Sequence, residues 1–97
     1  MKLPSLRALR QLFIDLKAHI GDEYRAEGCE DDSFPSMTVT VGWDPGSPCF
    51  GWQTGDNSFT GGAYGYRHWA VVTLDRRSNS LDLAREVRDQ LADLEAS

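Results

Sequence analysis

MTVTVGWDPGSPCFGWQT, residues 37–54, carries the pattern on which the fold turns. Met37, Val39, Val41 and Trp43 alternate with Thr38, Thr40 and Gly42, the period of two that a half-buried strand requires. Residues 44–48, DPGSP, interrupt the alternation with two prolines and a glycine, which build turns rather than ladders. CFGWQT, residues 49–54, then resumes a strand-like composition. The stretch therefore predicts two antiparallel strands joined as a hairpin.

Outward from this hairpin, HWAVVTLD, residues 68–75, is apolar on both faces, the composition expected of the most central or best-covered strand. On the N-terminal side, Leu9, Leu12, Phe13, Leu16 and Ile20 recur at three- and four-residue steps from Leu6 onward, with Arg7, Arg10, Asp15 and Lys17 on the opposite face. That spacing predicts an amphipathic helix, with Pro4 suited to its first turn and Gly21 as a stop or a kink, although DEYRAE, residues 22–27, could continue or restart the helix for another turn or two. On the C-terminal side, Ser78, Asn79 and Ser80 are capping candidates ahead of a second stripe, Leu81, Ala84, Val87, Leu91 and Leu94. Without βαβ alternation, nothing calls for parallel pairing. The expected fold is α+β: helix, three-stranded antiparallel meander, helix, as a single domain over residues 1–97 with both helices on one face of the sheet.

Composition narrows the functional classes. With 40% apolar and 26% charged residues the chain is of globular type. Its formal charge of −5 is opposite to the basic footprint of proteins that grip nucleic acid through phosphates, so such binding is not expected. No apolar run reaches the roughly 20 residues that a spanning helix needs, and MKLPSLRALRQLF at the start is charged and amphipathic rather than a signal peptide. These features point to a cytoplasmic protein without membrane contact. Cys29 and Cys49 lack CxxC spacing and in that compartment are reduced thiols, while export would allow them to pair.

Seven of the nine glycines and seven of the ten aromatic residues lie between Gly42 and Trp69, and this is the region expected to carry function. GDNSFTGGAYGY, residues 55–66, reads as a long loop or, alternatively, as a turn at Asp56 and Asn57 followed by an irregular strand. No known catalytic pattern accompanies it. Cys49, His68 and Asp56 contain the parts of an acyl-transfer site without its local signature, and a cysteine beside Phe50 reads as a small buried apolar residue. GGAYG, residues 61–65, precedes a strand rather than the helix that a phosphate loop requires. His19 and His68 are the only histidines, too few and too scattered for a zinc site. Glu27, Glu30, Asp31 and Asp32 form an acidic loop without the alternating ligands of a calcium site. No cofactor or metal is expected.

Trp43, Trp52, Tyr64, Tyr66 and Trp69 could form a binding platform, with about three of the five expected instead to fill the space between sheet and helices and one or two to remain on the surface. Trp52, Tyr64, Tyr66, His68 and Trp69, with Asp56, Asn57 and Arg67 as a polar rim, are the candidate binding residues. The run WQTGDNSFTGGAYGYRHWAVVTL, from Trp52 to Leu74, resembles a motif in small uncharacterised proteins of bacterial mobile elements, of the prophage and integron-cassette kind. The resemblance implies an accessory protein that acts by binding and transfers no activity to any residue. Three readings follow. The first is a non-enzymatic module that binds a protein or itself through the glycine- and aromatic-rich surface. The second is a small-molecule pocket or minor enzyme framed by Trp52, Tyr64, His68 and Trp69. The third is an acidic host-directed inhibitor or nucleic-acid mimic presenting Glu30, Asp31 and Asp32.

Overall fold

The computed structural model describes residues 3–28, 36–55 and 60–96, and only the backbone of Tyr64. Its elements are α1 (Leu6–Ala26), β1 (Met37–Trp43), β2 (Phe50–Thr54), a 3-10 turn (Ala63–Gly65), β3 (His68–Leu74) and α2 (Ser80–Ala96). The α+β class, the helix-strands-helix order, the antiparallel pairing and the packing of both helices on one sheet face all follow the sequence reading.

Both helices begin as their caps dictate. The Ser5 hydroxyl accepts the Ala8 N–H at 3.4 Å, and the Asn79 carboxamide oxygen accepts the Leu81 and Asp82 N–H groups at 2.9 and 3.2 Å. Each bond satisfies amides that have no partner inside the first turn. Pro4 lies just ahead of the cap rather than inside the helix. Gly21 does not stop α1, which runs on to Ala26, the continuation that DEYRAE allowed. An interior glycine costs about 1 kcal/mol relative to alanine. Burial of Leu16 and Ile20, just before it in the helix, offsets it, since a fully buried aliphatic side chain contributes roughly 1.5–3 kcal/mol.

The strand order is β2-β1-β3. A simple meander would place β2 in the middle, and the composition of residues 68–75 marks β3 as the most central or best-covered strand. The structure corrects both expectations: β1 is central and β3 is an edge. The misleading signal came from Trp69 and Val71, apolar residues on the face without helices, each about half exposed. Burial along β3 in fact alternates, with Ala70, Val72 and Leu74 inward.

The register aligns three rows of side chains on the helix side. Val39 stands between Thr54 and Val72, Val41 between Trp52 and Ala70, and Trp43 between Phe50 and His68. Against them pack Leu9, Phe13, Leu16 and Ile20 of α1 and Leu83, Ala84, Val87 and Leu91 of α2, forming one continuous core. Trp43 is fully buried there, and its indole N–H donates to the Ser47 carbonyl at 2.8 Å. Leu81 and Leu94, counted on the apolar stripe, lie at its margins, Leu81 half-buried and Leu94 exposed.

Candidate functional site

Because β3 pairs with β1 rather than with β2, the chain after β2 must cross the sheet, and this crossing shapes the second face. Thr60 first bridges Gln53, and the Gly61 N–H donates to the Trp52 carbonyl at 2.6 Å, which closes the outer edge of β2. The chain then passes over the sheet through Gly62 and the 3-10 turn and reaches β3 on the far side. Gly42 and Gly51 are directly opposed in the β1–β2 ladder and form the groove that receives it. A Cβ at Gly42 would lie 2.4 Å from the Ala63 carbonyl oxygen, and one at Gly51 would lie 2.5 Å from that of Gly62. Only glycine permits so close an approach of backbone to sheet. The Tyr66 side chain lies over the same two positions. Asp44, just past β1, accepts the Arg67 N–H at 2.7 Å and fixes the point at which β3 starts.

Beside this strap the second face remains open. Thr38 and Thr40 of β1 and Trp69, Val71 and Thr73 of β3 occupy it, none of them charged. Trp69 is 47% exposed, yet its indole N–H donates to the Ala63 carbonyl at 3.0 Å, so the strap holds the ring in one orientation. The outer edge of β3 is covered at Val71. Gln90 of α2 uses its carboxamide as a surrogate strand, accepting the Val71 N–H at 2.9 Å and donating to the Val71 carbonyl at 2.8 Å.

The candidate residues separate into different neighbourhoods. Trp69 and Tyr66 share the strap face. His68, the residue before Trp69, points the other way, with its ring 6.3 Å from that of Trp43 and its Nε2 3.7 Å from Glu95 at the end of α2. Trp52 packs against the helix-side core and beside Gly61 at the β2 edge. The geometry therefore does not gather Trp52, His68 and Trp69 into one concavity. Arg67 is exposed beside the strap. Asp56 and Asn57, the Tyr64 side chain and the acidic residues Glu30, Asp31 and Asp32 lie outside the described residues.

Cys49 corrects a further expectation: it is an exposed thiol in the turn before β2, not a buried residue on the strand. Cys29 lies outside the described residues. Among the described residues no group of three His, Cys, Asp or Glu side chains has metal-binding geometry, and no helix is long and apolar enough to cross a membrane. Sequence reading missed Val71 and Gln90. The apolar pair at Trp69 and Val71, two residues apart, was the available signal for an open face; Gln90 had none, because its role depends on where α2 lies against β3. In comparisons with known proteins, the chain matches no protein-family model, no curated protein and no solved structure.

Proposed function

We propose that the protein is a non-enzymatic interaction module that associates with a second copy of itself through the open face around Trp69. One observation carries this reading: Trp69 is half exposed and held in place by its bond to the Ala63 carbonyl. An exposed aromatic whose orientation is fixed in advance loses little conformational freedom on binding, which is the property of interface anchors. Charge favours a copy of the same chain as the partner. At −5 the molecule carries a net charge that opposes contact between charged surfaces, whereas the residues of β1 and β3 beside the strap on this face, Thr38, Thr40, Trp69, Val71 and Thr73, are uncharged. Because the Gln90 bonds and the Thr60 bridge interrupt the two sheet edges at Val71 and Gln53, contact through the face is favoured over strand addition.

Light scattering across a range of protein concentrations tests the proposal. The expected result is a dimer mass that falls toward the monomer on dilution, with Trp69→Ser and Val71→Lys each shifting the balance to monomer while the circular dichroism spectrum is retained. A wild-type monomer at every concentration would sink it. So would a dimer indifferent to both substitutions.

A further inference from the structure

A second feature lies on the other side of the molecule, where α1 meets the turn that leads into α2. Arg10, Ile14 and Lys17 line one wall of a cleft of about 400 Å3, and Arg77, Ser78 and Leu81 line the other. Arg10, Ile14 and Lys17 are spaced to share one face of α1. Acidic residues outnumber basic ones by fifteen to ten in the chain, yet among the described residues the cleft is lined by three cations and no carboxylate. Lys17 Nζ donates to the Ser78 carbonyl at 2.6 Å, which joins the two walls and keeps the ammonium at the cleft. The Arg10 and Arg77 side chains are exposed and make no ion pair with another described residue.

The cations, not the start of α2, make this site. The Leu81 and Asp82 N–H groups are already held by the Asn79 side chain, and that of Leu83 by the Asn79 carbonyl. Two guanidinium forks and an ammonium match a phosphoryl group, which accepts paired N–H bonds in the plane of each fork. Ile14, 40% exposed, and the half-buried Leu81 add an apolar surface beside them. The volume lies within the roughly 300–1,000 Å3 typical of small-molecule sites. We propose that this cleft binds a small phosphorylated organic molecule, with the phosphoryl group between Arg10, Lys17 and Arg77 and the organic part on Ile14 and Leu81.

Amide chemical shifts of 15N-labelled protein, titrated with phenyl phosphate and separately with inorganic phosphate, test the assignment. Saturable shifts are expected at Lys17, Ser78, Asn79 and Leu81, with weaker binding of inorganic phosphate. Arg10→Ala and Arg77→Ala, both at exposed positions, should each weaken phenyl phosphate about tenfold, as the loss of a hydrogen bond to a charged group implies. Arg10→Lys should retain part of the affinity. Shifts scattered over the surface, or unchanged in the two alanine variants, would overturn the site. Equal affinity for the two phosphates would overturn the role of Ile14 and Leu81, and tighter binding of an acidic peptide would replace the small molecule with a protein partner. Because Trp69 lies elsewhere, Trp69→Ser should leave this titration unchanged whatever it does to self-association.

Discussion

A single methyl group separates Gly42 and Gly51 from a blocked surface. Alanine at either position would bring its Cβ to 2.4 or 2.5 Å from a strap carbonyl oxygen, and neither backbone partner has a rotamer by which to yield. Gly42→Ala and Gly51→Ala are each expected to destabilise the fold by about 1–3 kcal/mol, the usual cost of overpacking. Urea denaturation should show the lowered midpoint at an unchanged slope. Tyr66 should lose its packing in the same variants, and its ring resonances should move toward random-coil positions. Glycine and aromatic enrichment in residues 42–69 did mark this region from sequence. What the enrichment did not reveal is that Gly42 and Gly51 face each other, because register is a property of the paired strands and not of either one.

At the scale of elements, α2 both covers the core and closes a sheet edge. Gln90→Ala removes both bonds to Val71 and leaves the edge amide to solvent. A loss of about 1–2 kcal/mol is expected, from two bonds of roughly 0.5–1.5 kcal/mol net each. The diagnostic readout is faster hydrogen exchange at the Val71 amide, and an uncovered edge also favours aggregation at high concentration. Asn79→Ala should cost about 1 kcal/mol through loss of the α2 cap, visible as a lower thermal midpoint with the sheet register intact. Helix periodicity predicted α1 and α2 well because each buries a single stripe, so the spacing of Leu9, Phe13, Leu16 and Ile20 or of Ala84, Val87 and Leu91 is legible locally. Strand order was not. Trp69 and Val71 carry the composition of a covered strand while occupying an open face, and no local pattern tells a buried Trp from one left exposed.

For the whole molecule, one core joins both helices to the sheet, so unfolding should be cooperative. Fluorescence, which reports Trp43, Trp52 and Trp69 together, and far-ultraviolet circular dichroism, which reports the helices, should give coincident urea transitions. Phe13→Ala, at the centre of that core, is expected to cost about 3–5 kcal/mol, a large share of the roughly 5–15 kcal/mol that holds a small domain together. The β2-β1-β3 order also has a kinetic consequence. β1 and β2 are joined by the short turn 44–49, whereas Trp43 must find His68 and Met37 must find Leu74 across long stretches of chain. Local pairing closes a small loop at little entropic cost, and distant pairing closes a large one. The groove at Gly42 and Gly51 exists only once β1 and β2 are in register, so the hairpin is expected to template the crossing chain, with β3 expected to be the last strand to arrive. A methyl group in the groove therefore obstructs a step on the way to the native state, and in a chevron plot Gly42→Ala should lower the refolding rate more than it raises the unfolding rate.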